Sequence, residues 1–325
     1  MKSKTKYEIS ADKIKEVFYK ANLGKVSKIT SLDAGEFSSA YFVSADNIEY
    51  VIKIAPKSYD NVLTYERDLM EREVSFYKII QETTNIKTPK IYYYDKSKNI
   101  IPSQYFIMER LKSLPLTDCK LNQEQKNKVY ENLGTIVAKL HTINGSGFGY
   151  EQNGLEDNWY LAISKMVQNL INDCHRYGKK AKSGEMLLRY IDKYEDILKS
   201  VESTYTHFDI WDGNIFYDIN SGEIALIDTE RGFWGDSIGD FVSIEMMKSF
   251  NDKVCIPIYN KSAKYPIDFS REQLIRFNIM KAYLGLIVYS EKFARYKKWQ
   301  IKYISNYFFA KNLFSKAFFE LDKIN

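Results

Sequence analysis

A chain of 325 residues is long enough for two lobes, each with its own core. Its formal charge of +5 is modest for that length and gives no argument for nucleic acid or an anionic membrane as a partner. The three cysteines, Cys119, Cys174 and Cys255, are far apart and lack CxxC spacing, which argues against structural zinc or a disulfide framework and for a reducing, cytoplasmic setting. Met1 to Lys6 lacks the apolar run of a signal peptide, and no stretch of about 20 apolar residues is present to span a bilayer. The window 201–250 is acidic, with Arg231 and Lys248 its only Lys or Arg.

In chain order, residues 7–23 carry a helical period. Val26 to Thr30, Tyr41 to Val43 and Tyr50 to Ile54 read as strands of an antiparallel meander, with Asp46-Asn47 as the turn between the last two. The loop before the second strand holds Gly35, Ser38 and Ser39. It is either a plain connection or a phosphate cradle made of backbone N–H groups and hydroxyls. Lys53 lies between Ile52 and Ile54, so period 2 puts it on the opposite sheet face, either toward solvent or into a cleft. Residues 59–82 read as one long helix containing Glu73, which could be aimed at Lys53. Two further strands, opening at Thr88 and at Gln104, complete five. A hinge is expected at about 108–116, and the backbone around Met108, Glu109 and Leu111 is placed to meet a nucleotide base. Helices follow over 122–143, 158–176 and 184–200. His141 is read as a structural hydrogen-bonder, and Trp159 as either core or a stacking platform. The segment 237–249 and much of 270–324 also read as helical; the basic, aromatic tail is taken as packed core with snorkelling lysines rather than an RNA surface.

The most informative stretch runs from Tyr205 to Phe216. It holds His207, Asp209, Trp211, Asp212, Gly213 and Asn214 at fixed offsets. A turn at 217–222 and a short strand then return Asp228 and Glu230 beside them. Oxygen-bearing side chains converging on a loop and a hairpin end suggest a Mg²⁺ and phosphate site. Asp236 and Asp240 follow shortly after.

The set His207-Phe208-Asp209 to Asn214, Ile227-Asp228-Thr229-Glu230 and Gly235-Asp236 to Asp240 resembles the aminoglycoside phosphotransferase family, the small-molecule branch of the protein-kinase-like fold. The resemblance runs from about Ile29 to Phe241. It implies an α+β bilobal fold. The N-lobe (1–110) is an antiparallel five-stranded sheet plus a helix. The C-lobe (111–325) is mainly helical, with a short catalytic hairpin. It also implies Asp209 as catalytic base, and Asn214 and Asp228 as Mg²⁺ ligands. Lys53 would contact the α/β-phosphates with Glu73 holding it, under a loop of Gly35, Ser38 and Ser39. His207 and Asp236 are expected to brace the loops. Trp211, Asp212, Glu230 and Trp159 are the candidates for the acceptor. Phe208 stands where a protein kinase has Arg, Asp228-Thr229-Glu230 replaces DFG, and no APE-like segment follows, so a small acceptor is favoured.

The expected reaction is transfer of the γ-phosphate of ATP or GTP to a hydroxyl of a small substrate. Acids on the acceptor side favour a cationic one, with an aminoglycoside antibiotic as first candidate. A fructosamine, choline/ethanolamine or homoserine type of metabolic kinase is the alternative. A catalytically silent nucleotide-binding module is the alternative of another class. No nucleic acid, membrane or obligate protein partner is expected.

Overall fold

The computed structural model describes residues 3–32, 35, 37–244 and 254–324. Helix α1 (Ala11–Lys20) precedes strands β1 (Val26–Leu32), β2 (Ser39–Ala45) and β3 (Ile48–Ile54). The expected turn between β2 and β3 is two residues long, and both Asp46 (φ 45°) and Asn47 (φ 63°) take the left-handed conformation that matches strand twist. Helix α2 (Leu69–Thr83) leads to β4 (Ile91–Asp95) and β5 (Tyr105–Glu109), and the five strands pair antiparallel in the order β1-β2-β3-β5-β4.

The alternation in β3 sorts the sheet into two faces. Tyr50, Ile52 and Ile54 pack under α1 with Ile14, Val17 and Phe18. Val51 faces Met70, Val74 and Tyr77 of α2. Lys53 shares the α2 face. The other side of α2, at Phe76 and Ile80, is buried in the core of the C-lobe, which fixes the helix between the lobes.

The helix expected over 59–82 begins only at Leu69. Residues 64–66 form a 3-10 turn, and Asp68 (φ 55°) is left-handed and cannot continue a helix inward. A tertiary contact overrides the local period here: Glu66 accepts the Leu63 N–H (2.8 Å) and pairs with Arg295 of the C-lobe.

Asp95 pins α1 to the sheet. It accepts hydrogen bonds from Lys20 (2.6 Å), the Ser97 N–H (2.7 Å) and the Tyr105 hydroxyl (3.1 Å). Burial opposes its charge, but those donors outweigh burial and hold the carboxyl far below its usual range. Such a depressed value stabilises the fold above the ordinary carboxylate pKa, and the contribution is lost as pH falls through and below it. Asp95→Asn is therefore expected to cost about 1–3 kcal/mol at pH 7, and progressively less as pH falls from the ordinary carboxylate pKa toward the depressed folded one. Urea melts of both proteins at neutral pH and through a series of acid conditions below the ordinary carboxylate pKa check this.

Beyond β5 the chain forms β6 (Leu114–Pro115), α3 (Gln123–Leu140), α4 (Trp159–Arg176), α5 (Lys182–Lys193) and α6 (Glu195–Lys199), the last two replacing the single helix expected over 184–200. Then come β7 (Thr204–Thr206), β8 (Ile215–Tyr217), β9 (Ile224–Leu226), β10 (Phe233–Gly235), α7 (Gly239–Ile244), α8 (Cys255–Asn260), α9 (Arg271–Arg295) and α10 (Ile301–Lys323). Part of the helix expected over 237–249 falls on 245–249, outside the described residues. Strands β6, β8 and β9 make a small sheet, and β7 pairs with β10. This second ladder, which the sequence reading lacks, holds the loop after β7 against the segment after β9. No described helix is long and apolar enough to cross a membrane.

Candidate active site

The turn joining β8 and β9 is built by Asp218. Its side chain accepts the Asn220 N–H (2.8 Å), its carbonyl accepts the Gly222 N–H (2.8 Å), and Gly222 supplies φ +74°. Ile215 pairs with Leu226, so Asn214 and Asp228 emerge at the same end of the hairpin. Asp228 itself is left-handed (φ 65°), and its N–H donates to the Tyr77 hydroxyl (2.8 Å), which turns its carboxylate toward α2.

There it meets Lys53. The ammonium lies 2.8 Å from Glu73 Oε1, 2.9 Å from Asp228 Oδ1 and 3.5 Å from Glu230 Oε2. Burial works against the Lys53 charge, but the three acids outweigh it and hold the lysine pKa well above its usual value. The acids pay for the crowding unequally. Burial, with Asp228 adjacent, pushes Glu73 up to about 7 and Glu230 up to about 8. Asp228 is also opposed by burial, yet the Lys53 ammonium keeps it below the usual range. The carboxylate oxygens of Glu73, Asp228 and Glu230 lie within 4.8 Å of one another. Three acids around one ammonium leave an excess of negative charge and hard oxygen donors, a set that suits a divalent cation.

The opposite wall is the loop after β7. Phe208 is left-handed (φ 60°) and buried, and its ring packs on Phe233 and Tyr283. Asp240 holds the loop backbone: it accepts the N–H groups of Phe208 (2.6 Å) and His207 (3.3 Å), and His141 Nε2 lies 2.9 Å from it. His141 is thus the structural hydrogen-bonder expected. Asp240→Asn removes one of these acceptors from a fully buried site, and is expected to lower stability by about 1–3 kcal/mol in a thermal melt.

Asp209 follows. Its Oδ2 accepts from Asn214 Nδ2 (2.9 Å) and its Oδ1 from Arg231 (3.2 Å). Burial raises the Asp209 pKa, with Arg231 opposing and Asp228 reinforcing the shift. Arg231 also reaches Glu291 (2.9 Å), which accepts from the Tyr65 hydroxyl (2.8 Å) and pairs with Arg295 (3.1 Å). Arg231, Tyr77, Asp240 and Glu291 are site residues the sequence reading did not assign. The signal for Glu291 was the charged pair Glu291 and Arg295, one turn apart in the buried C-terminal half of α9.

Several expected roles change. Trp159 is wholly buried and stacked on Phe233 (5.5 Å), so it is core and offers no face to a substrate. Glu230 faces Lys53 rather than the acceptor side. Asp212 is bonded by the Tyr130 hydroxyl of α3. Asp236 is buried against Arg276 (2.9 Å) and accepts the Ile238 N–H (3.1 Å), so it braces the turn into α7 while Asp240 braces the loop after β7. His207 is buried with neither ring nitrogen bonded among the described residues, so it braces by packing, not by hydrogen bonds. The Ser39 hydroxyl donates to the Tyr7 carbonyl (2.8 Å) and is used there rather than for phosphates. Gly35 is exposed with φ +77°, while residues 33, 34 and 36 of that loop lie outside the described residues. Ser38 is buried at the entry to β2. Met108 and Glu109 end β5, Glu109 being held by Lys90, and Leu111 lies half-buried just beyond. Trp211 stays exposed (41%), and a Cβ on Gly213 would lie 2.3 Å from its ring, which explains the glycine by close approach.

The same architecture occurs in solved structures. A candidate fructosamine-3-kinase from Haemophilus somnus 129PT matches with a TM-score of 0.68 at 15% identity, over 92% of this chain and 96% of that one. Choline kinase LicA from Streptococcus pneumoniae matches at 0.61 and 15%, over 93% and 98%. A spectinomycin phosphotransferase in complex with ADP and spectinomycin matches at 0.63 and 13%, over 97% and 99%. At such identities the likeness shows the fold. No curated protein matches the chain by sequence. The family model for the phosphotransferase enzyme family, however, matches residues 28–255, from the first strand through the β8–β9 hairpin to the start of α8. The chain belongs to that family, with the bilobal kinase-like fold of its small-molecule kinases.

Proposed function

We propose that the protein is a Mg²⁺-dependent kinase that moves the γ-phosphate of ATP or GTP to a hydroxyl of a small molecule. The observation that carries this reading is the convergence of Lys53, Glu73 and Asp228 on one side of the hairpin end, with Asp209 and Asn214 on the other. Lys53 would sit on the α/β-phosphates, held by Glu73. The backbone of Met108, Glu109 and Leu111 would meet the base, and Gly35 would cover the phosphates. Asp228 and the Asn214 side-chain oxygen would hold the metal, with Glu230 in the same cluster. The ion would supply charge neutralisation on the transferring phosphoryl group. Asp209 would orient the acceptor hydroxyl and take its proton at a carboxylate oxygen.

For the acceptor, the pairing of two of the three expected acids supports a less highly charged molecule than a polycation. Glu230 faces Lys53, Asp212 is bonded to Tyr130, and Asp236 is buried against Arg276. A singly charged metabolite, of fructosamine or choline type, fits this side better than a polycationic aminoglycoside. Trp211 is the exposed ring placed to cover it. A substrate panel with ADP detection, run with ATP and with GTP, tests this reading. Turnover of a sugar-amine or choline-type acceptor is the expected result. Turnover of aminoglycosides alone would overturn the substrate assignment. Absence of Mg²⁺-dependent nucleotide binding in calorimetry would overturn the kinase assignment, and nucleotide binding without turnover of any acceptor would leave the silent nucleotide-binding module.

A further inference from the structure

The basic, aromatic tail expected to be packed core is only half so. Between Glu291 and Glu320 the chain has no acid, while Lys297, Lys298, Lys302, Lys311 and Lys316 are all exposed there. One side of α10 packs on α9 through Ala310, Leu313, Phe314, Ala317 and Leu321. At 100° per residue, Ile301, Ile304 and Phe308 fall on the opposite side. They are exposed to 84%, 48% and 61%, and Trp299 just before the helix is exposed to 66%. An apolar helix face turned to water and ringed by lysines is not what packing of this chain alone would select.

We propose that this face, Trp299 to Phe308 with its flanking lysines, docks the protein onto an anionic lipid bilayer. Charge and side-chain type decide among possible occupants. A second copy of the chain placed on the same face would oppose lysine to lysine with no acid in the segment to pair them. Single-stranded nucleic acid is gripped by stacking aromatics and exposed arginines. Here Ile301 and Ile304 interrupt the rings of Trp299, Tyr307 and Phe308, Ile301 being the most exposed of the five, and the segment's one arginine, Arg295, is buried. A bilayer offers both complements at once: an apolar interior for the tryptophan, isoleucine and phenylalanine side chains, and anionic headgroups for lysines whose stems snorkel outward. The helix lies on the surface in this arrangement and spans nothing.

The test uses the full chain in vesicle flotation, with phosphatidylcholine alone and with about one-third phosphatidylserine added. Binding is expected only to the anionic vesicles, weakened by salt, with a blue shift in fluorescence that is absent in Trp299→Phe. Lys297→Glu/Lys298→Glu and Ile301→Ser/Phe308→Ser are each expected to lower partitioning by at least about tenfold, without moving the melting temperature or nucleotide affinity. Failure to bind, equal binding to neutral vesicles, or unchanged binding by both double variants would overturn the proposal. A dimer dispersed by the same substitutions, or RNA binding abolished by them, would overturn it in favour of those partners.

Discussion

Replacing Asp209 by Asn is expected to lower turnover by about 10²–10⁴-fold while leaving the Mg²⁺-nucleotide affinity within about threefold of the parent. The amide keeps the size and one acceptor oxygen of the carboxylate, so Asn214 or Arg231 retains a partner and the loop keeps its shape. What is lost is the group that takes the proton from the acceptor. Because Oδ1 and Oδ2 each already accept one hydrogen bond, the acceptor hydroxyl must use a remaining lone pair or displace Arg231. Arg231→Gln should therefore act differently from the Asp209 change. It frees Oδ1 and leaves Glu291 with Tyr65 and Arg295, so its effect falls on the position and basicity of Asp209. Single-turnover rates and calorimetry on both variants separate the two. Turnover retained by Asp209→Asn would remove Asp209 from its proposed role.

Local pattern and long-range pairing contributed unequally to what the sequence reveals. Period 2 in β3 put Lys53 on the face opposite Ile52 and Ile54, and the structure places it there against Glu73, because alternation in a half-buried strand is a purely local rule. The hairpin returning Asp228 to Asn214 was legible for the same reason: its turn chemistry lies within six residues. The helix start at Leu69 was not, since it depends on Glu66 finding Arg295, whose position the local period cannot report. Arg231 and Glu291 escaped notice for the same cause. The sequence counts charges on the acceptor side but does not say which of them are already paired. Glu230 faces Lys53 and Asp236 faces Arg276, while Asp212 is bonded, among the described residues, only by the neutral Tyr130 hydroxyl.

Lys53→Met is expected to destabilise the protein by roughly 3–5 kcal/mol without ligand and to abolish detectable phosphotransfer. The stability loss follows from how the pair is built. Glu73 is almost fully buried, and Lys53 is the cation that meets it, Asp228 and Glu230. Removing the ammonium leaves buried carboxylates without their counter-charge, and breaking such a pair costs far more than the pair itself contributes. Glu73→Gln alone removes one of those carboxylates and leaves Lys53 with Asp228, so it should cost less. The double variant Lys53→Met/Glu73→Gln relieves the orphaned acid that makes the single lysine change so harmful. Its loss should fall short of the sum of the two single changes by about 1–3 kcal/mol in a urea-unfolding cycle. Additive losses would mean that the two side chains do not act as a pair. The phosphotransfer defect distinguishes scaffold from chemistry: the double variant regains stability but no activity, because neither substituted side chain can contact the phosphates that Lys53 is proposed to hold.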